Sequence, residues 1–273
     1  MTVRAGVLGS PIGHSLSPTL HRAGYVAAGL TEWSYTAHDV DEGGLPPFVA
    51  GLTQEWRGLS LTMPLKVVAG DLAETVTDTA RAARAVNTLV RTGTGWAADN
   101  TDVHGITAAL REAGVDGLDR ATVVGSGATA RSALLGLVGL GATHITVAAR
   151  RPERAEALRD VADVTLEVVP LADWARTGAR AVVSTLPGGT ANGAAAGHVD
   201  EDLTGATLLD VVYADWPTPL ARAASGCGAQ VVSGLEMLVH QAARQFELFT
   251  GVAAPVAAMQ AAGRAALGHS PDA

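Results

Sequence analysis

The chain has a single cysteine, Cys227, in 273 residues. That excludes an intramolecular disulfide and a cysteine-based zinc site. Charge is sparse as well: 17% of residues are Asp, Glu, Lys or Arg, and the balance is −8. Nucleic-acid binding needs clustered Lys and Arg against phosphate, so an acidic chain argues against that partner. No stretch approaches the roughly 18 uninterrupted apolar residues of a membrane span. The eight histidines show no paired ligand spacing such as His-Glu-x-x-His, so no metal is expected. The opening residues, Met1 to Gly9, read as a strand and lack the longer apolar core and cleavage site of a signal peptide. A cytoplasmic protein with a small-molecule substrate, monomeric or homodimeric, is the expectation.

What is present is apolar content, 48% of residues, ample for a core in two modest domains. Strand-like and helix-like stretches alternate throughout, which indicates an α/β fold. The first block reads as strands at Arg4 to Leu8, Ser34 to Asp39 and Gly58 to Thr62, with helices at Pro18 to Ala28 and Pro46 to Gln54. Short helices follow through Lys66 to Leu72 and Asp78 to Ala83, then a hairpin turning at Thr92-Gly93-Thr94. A helix from Thr101 to Ala113 ends at Gly114, a residue suited to the cap.

The second block starts at Arg120 and repeats a βαβ rhythm. Its strands are Ala121 to Val124, His144 to Ala148, Thr165 to Val168, Ala181 to Ser184, Thr207 to Val212 and Gln230 to Val232. Several are apolar without alternation, as parallel strands buried on both faces are. After Gly234 only helices remain, Leu235 to Phe249 and Pro255 to Leu267, and a frayed tail is expected from Gly268. The expectation is therefore two three-layer α/β domains. Residues 1–102, completed by helices within 235–268, form the first; residues 103–234 form the second.

The sharpest motif is a glycine turn between a strand and a helix, Gly125-Ser126-Gly127-Ala128-Thr129-Ala130. In that setting a G-x-G-x-x-A pattern reads as dinucleotide binding. Gly125 permits the tight turn, Gly127 lets the backbone approach a pyrophosphate, and Ala130 permits close helix–strand packing. Backbone N–H groups at the helix start then face the phosphates. The end of the following strand discriminates cofactors: NAD calls for an acid there and NADP for basic residues. The chain has Arg150, Arg151 and Arg154, whose planar guanidinium forks suit a 2′-phosphate. NADP is the expected cofactor, against the alternative of a solvated basic loop.

In the first block, Ser15 and Ser17 precede a helix, where Ser17 as N-cap and Pro18 at the first helical position would satisfy capping alone. Thr62 ends a strand in Ser60-Leu61-Thr62-Met63-Pro64-Leu65-Lys66. A lysine taken singly reads as a surface residue. Asn87 and Asp99-Asn100-Thr101-Asp102 are equally plain one by one, and Thr101 or Asp102 would serve as a helix cap.

In this order, however, the segments resemble the shikimate dehydrogenase family over nearly the whole chain. The resemblance rests on Gly9-x-Pro11-Ile12-x-His14-Ser15-x-Ser17-Pro18, Thr62-x-Pro64-x-Lys66, Ala85-Val86-Asn87-Thr88 and Asp99-Asn100-Thr101-Asp102. It continues through the glycine turn and Gly234-Leu235-x-Met237-Leu238-Val239-x-Gln241-Ala242. It implies an N-terminal substrate domain, a Rossmann-like NADP-binding domain, and C-terminal helices packing back on the first. It implies a catalytic pair, Lys66 and Asp102, and substrate contacts from Ser15, Ser17, Ser60, Thr62, Asn87, Tyr213 and Gln241. It puts Gly125 to Ala130, Arg150, Arg151, Arg154, Thr185 and Gly234 on the cofactor. The activity implied is NADPH-dependent reduction of 3-dehydroshikimate to shikimate, in the pathway to aromatic amino acids.

Departures from the pattern bear on the substrate. Many members have Asn where Ser60 stands, and Ala149-Arg150-Arg151 replaces a common Asn-Arg-Thr. The alternatives are a quinate/shikimate or aminoshikimate-type dehydrogenase, and a metabolite-binding protein without catalysis.

Overall fold

The computed structural model describes residues 2–268, so the expected tail after Gly268 lies outside the described residues. Six strands of the first part form one mixed sheet: β1 (Val3–Gly9), β2 (Trp33–Asp39), β3 (Trp56–Leu61), β4 (Thr75–Val76), β5 (Thr88–Arg91) and β6 (Trp96–Asp99). Their order is β2-β1-β3-β5-β6-β4, with β5 antiparallel to both β3 and β6. The helices between them are α1 (Ser17–Ala27), α2 (Leu45–Ala50), α3 (Asp78–Ala83) and α4 (Asp102–Glu112).

Strands β7 (Arg120–Val124), β8 (His144–Ala149), β9 (Thr165–Pro170), β10 (Ala181–Ser184), β11 (Thr207–Asp210) and β12 (Gln230–Ser233) form a second sheet. It is parallel throughout, ordered β12-β11-β10-β7-β8-β9. This is the doubly wound order in which direction reverses between the first and fourth strands, where ligands bind. Its helices are α5 (Ala128–Val138), α6 (Pro152–Ala155), α7 (Thr190–Ala196) and α8 (Pro219–Gly226), and α9 (Gly234–Thr250) and α10 (Val256–Ala266) close the chain.

Layering follows from where the apolar side chains go. In β7, Val123 joins one core with Leu134 and Ile145, while its neighbour Val124 joins another with Val182 and Leu220. The strand is buried on both faces, which is why its apolar run does not alternate. The first sheet also has two cores. Leu8, Leu59 and Leu89 pack on one side, and Val7, Tyr35, Phe246 and Phe249 on the other. Phe246 and Phe249 bring α9 onto that second face, and α10 packs along α1.

The chain divides into two compact units, one running to Gly105 and resuming at Leu238, the other Ile106–Met237. The divisions fall inside α4 and α9, a few residues from the expected 102/103 and 234/235. A helix completes its own backbone hydrogen bonds, so packing can change partner in mid-helix. Three local expectations need correction. Lys66 sits in turns ahead of a single 3₁₀ turn, Ala69–Leu72, instead of in a helix. Helix α1 begins at Ser17, and Ser15 supplies the oxygen accepting the Ser17 N–H at 3.3 Å. Strand β4 is two residues long, too short to leave a periodic signal.

One buried group makes the first unit acid-sensitive. His21 on α1 stacks on Tyr35 at 4.1 Å, and neither ring nitrogen has a hydrogen-bond partner. Burial drives its pKa down from 6.5 to about 3, with Gln245 opposing only in part. The unfolded chain therefore binds the extra proton below pH 6.5, and stability falls as pH falls between 6.5 and about 3. The expected loss is ~2 kcal/mol from pH 7 to pH 5, at ~1.4 kcal/mol per unit. Urea unfolding of wild type and His21→Phe at the two pH values checks this; equal acid sensitivity in both proteins refutes it.

Candidate active site

Three elements of the first unit bring the polar residues together. The turn after β3 presents Lys66, whose Nζ lies 2.6 Å from Asp102 Oδ2, with side-chain exposures of 18% and 5%. Asp102 is free for this contact because Asn100, and neither Thr101 nor Asp102, caps α4. Asn100 Oδ1 accepts the backbone N–H groups of Asp102 and Val103 at 3.1 and 3.4 Å. Lys66 is also the only lysine of the chain. A chain that otherwise uses arginine throughout has one compact ammonium, held against one buried carboxylate.

Asn87, just before β5, faces the other oxygen. Its Nδ2 donates to Asp102 Oδ1 at 2.8 Å and to Thr101 Oγ1 at 3.0 Å. Its Oδ1 accepts from the Thr101 N–H at 2.8 Å and from Thr88 Oγ1 at 2.7 Å. Gln241 on α9 approaches the same group, its Oε1 3.4 Å from Asn87 Nδ2, and its own amide donates to Leu238 O at 3.0 Å. Ser15 and Thr62 are half-buried and Ser17 is buried. All eight expected polar residues outside Tyr213 therefore belong to this unit.

Ser60 has a different setting. Its hydroxyl donates to Gln245 Oε1 at 2.6 Å and accepts from Tyr35 OH at 2.6 Å. Its one proton is committed within the protein, leaving a single acceptor lone pair. Burial pushes the Tyr35 phenol well above its ordinary range, Ser60 and Ser17 beside it opposing the shift. Gln245 and Tyr35 went unremarked in the sequence, and Thr88 and Thr101 stood there only within motifs or as a cap candidate. Gln245 carried one available signal: it lies four residues after Gln241 and so shares its helix face.

In the second unit, Gly125 directly follows β7 with φ +117°. A Cβ there would lie 2.4 Å from Thr185 Oγ1, and Thr185 is itself tied to Val124 O through its N–H and hydroxyl at 2.8 and 3.0 Å. Gly127 occupies the N-cap of α5 in an extended conformation without a side-chain cap, and a Cβ there would meet nothing within 4 Å. The helix start is therefore open to an anion. Ala130 is fully buried against the sheet. Gly234 opens α9 so close to Val211 that a Cβ would fall 2.2 Å from its carbonyl oxygen.

A cavity of about 490 Å³ extends from Gly125 and Ser126 to Arg150, Arg151 and Arg154. The three arginines are exposed, and among the described residues none is in an ion pair. An open helix N-terminus at one end and unpaired guanidinium groups at the other fit a phosphorylated dinucleotide. Tyr213 lies beyond β11 in this unit, and burial raises its phenol pKa. Among the described residues no group of three or more His, Cys, Asp or Glu could hold a metal, and no helix is long and apolar enough to cross a membrane.

Fold and site together define a dinucleotide-dependent α/β oxidoreductase with a polar substrate unit of its own. Residues 7–89 match the model of the shikimate dehydrogenase substrate binding domain and residues 234–262 that of the shikimate 5′-dehydrogenase C-terminal domain. The shikimate dehydrogenase (NADP(+)) of Anaeromyxobacter sp. is 39% identical over 279 residues, covering 96% of this chain and 95% of that one. The chain belongs to the shikimate dehydrogenase family. Residues 120–213, around the glycine turn, also match a model described as NADP oxidoreductase coenzyme F420-dependent.

Among solved structures, the Mycobacterium tuberculosis shikimate dehydrogenase is 44% identical, with a TM-score of 0.88 over 97% of this chain and 99% of that one. The Thermus thermophilus shikimate 5-dehydrogenase, solved with NADP(H) and shikimate, is 31% identical, with a TM-score of 0.86 over 97% and 100%.

Proposed function

We infer that this chain is an NADP-dependent shikimate dehydrogenase, reversibly reducing 3-dehydroshikimate to shikimate, with Lys66 and Asp102 as its catalytic pair. The observation that carries the reading is the 2.6 Å contact between the chain's only lysine and a buried carboxylate. Gly125 to Ala130, Thr185 and Gly234 would hold the dinucleotide, and Arg150, Arg151 and Arg154 its 2′-phosphate. When bound, NADPH supplies the hydride that reduces the carbonyl carbon.

As that carbon is reduced, negative charge grows on the carbonyl oxygen, and the Lys66 ammonium stabilises it more in the transition state than before it. Lys66 then gives a proton to the oxygen; in the reverse direction its neutral amine takes the proton back. Asp102 aims the ammonium through Oδ2 and is itself aimed by Asn87 through Oδ1. Ser15, Ser17, Thr62, Asn87, Tyr213 and Gln241 serve the substrate's hydroxyls and carboxylate. Each hydroxyl that finds its partner adds specificity, because an analogue lacking it leaves a buried polar atom unpaired. Ser60 acts on the substrate at most as an acceptor. The setting is the cytoplasm, with the small molecule as partner rather than nucleic acid, and the enzyme a monomer or homodimer.

The test is turnover of shikimate and of quinate, each with NADP⁺ and with NAD⁺, followed by the absorbance of the reduced nicotinamide. Shikimate with NADP⁺ is expected to be the best pair. Quinate with NAD⁺ as the best pair would overturn the assignment, and no turnover with any pair would favour a binding protein.

A further inference from the structure

A row of polar side chains crosses the face of the first sheet that α1 and α9 cover, where apolar packing would be the simpler solution. Ser60 and Thr88 are register partners across β3 and β5, so their side chains share a face. Tyr35 from β2 and Gln245 from α9 complete the row, and none of the four is more than 4% exposed. Buried polar groups of this kind are costly unless every one is satisfied.

The position of each proton follows from one fixed group. The backbone carbonyl of Asn87 can only accept, and it takes Gln245 Nε2 at 3.0 Å. Gln245 Oε1 is thereby turned to Ser60, which must donate to it and so accept from Tyr35. The other Nε2 hydrogen goes to Thr88 Oγ1 at 2.9 Å. The Thr88 proton is then left for Asn87 Oδ1, at 2.7 Å. With Oδ1 held in this way, Asn87 presents Nδ2 to Asp102 Oδ1 at 2.8 Å, and Asp102 Oδ2 meets Lys66. A second donor to Asn87 Oδ1, the Thr101 N–H, is fixed by the backbone. Two hydroxyls that can rotate also reach Oδ1, Thr101 at 3.3 Å and Thr88 at 2.7 Å, and Gln245 decides where the nearer one points.

We propose that Gln245 is a positioning residue for the reaction: through Thr88 it fixes the Asn87 amide, and through Asn87 it holds the Asp102 carboxylate against Lys66. This deepens the functional reading above and rests on it for the roles of Lys66 and Asp102. Gln245 touches no reacting atom. Its larger effect falls on kcat, because Asn87 is the one substrate contact tied directly to Thr88 and Gln245, while Ser15 and Thr62 bind independently of them.

Two variants break the same link from opposite ends, Gln245→Leu and Thr88→Val. Each is expected to lower kcat for shikimate oxidation about tenfold, the scale of a small misplacement of catalytic groups, with KM for shikimate within about twofold. The double variant should lose no more than either single one, because the link is already broken. The Asn87 side-chain amide resonances should shift in both single variants, an observation that needs no turnover. Unchanged kcat per folded molecule, single effects that multiply in the double variant, or unmoved Asn87 resonances each overturn the proposal. If Gln245→Leu does not fold, Thr88→Val decides alone by the same two readouts. Moved resonances with a wild type that does not oxidise shikimate would instead mean that the functional reading fails while the positioning link stands.

Discussion

Replacing Lys66 with methionine is expected to lower kcat for shikimate oxidation about a thousandfold, the middle of the range for a positioned general acid–base. KM for shikimate should change little, since the lost interaction is one that strengthens only in the transition state. The fold should survive: Asp102 keeps its bond from Asn87 at 2.8 Å and the backbone bonds that start α4. Lys66→Arg should not restore the rate, because a guanidinium stays protonated and cannot take the proton back in the oxidative direction.

The chain's composition offers a second approach to the same residue. With one lysine in 273 residues, an amine-directed reagent has only Lys66 and the N-terminal amine to modify. Inactivation should follow modification of Lys66, and saturating shikimate should slow it. A Lys66→Met enzyme with near-normal kcat would remove Lys66 from the chemistry altogether.

Loss of Arg150 and Arg151 together is expected to raise KM for NADPH about a hundredfold or more, at ~1.5–3 kcal/mol for each hydrogen bond to a charged group. KM for NADH, which lacks the 2′-phosphate, should stay within about threefold on the same grounds. The geometry favours a clean result. Both side chains are exposed, line the cavity that begins at Gly125, and are in no ion pair among the described residues, so their removal disturbs little else. Arg154, one turn further on, lines the same cavity and should contribute in the same direction. Equal weakening of NADPH and NADH would rule out a phosphate clamp.

The second sheet was the most legible part of the chain. Parallel strands covered on both faces must be apolar at successive positions, so β7, β8, β10 and β11 stand out as unbroken runs. The glycine turn is equally explicit, because φ +117° at Gly125 and the proximity of Thr185 exclude a side chain. Short or irregular pieces were less so. The turns carrying Lys66 have no period to detect, and α7 and α8, of 7 and 8 residues, pass unmarked among small residues. The caps were misjudged at both α1 and α4: at α1 Ser17 is already helical and the N-cap residue, Leu16, makes no side-chain cap, and at α4 Asn100 takes the first N–H groups. Several side chains able to cap stood side by side, and local sequence does not say which one turns toward the helix.

By itself the sequence determined an α/β chain with a nucleotide turn and a basic strand end, because backbone conformation and burial on two faces act on neighbours in the chain. It also supplied, one by one, the residue types a polyhydroxylated acid would need. Only the tertiary structure decided what those residues do to one another. Lys66 and Asp102 are 36 residues apart, and Ser60 and Gln245 are 185 apart, so no local pattern couples them. Their contacts exist because β3, β5 and α9 are packed into one unit. A hydrogen bond, unlike a hydrophobic run, is specified only by where its two ends meet.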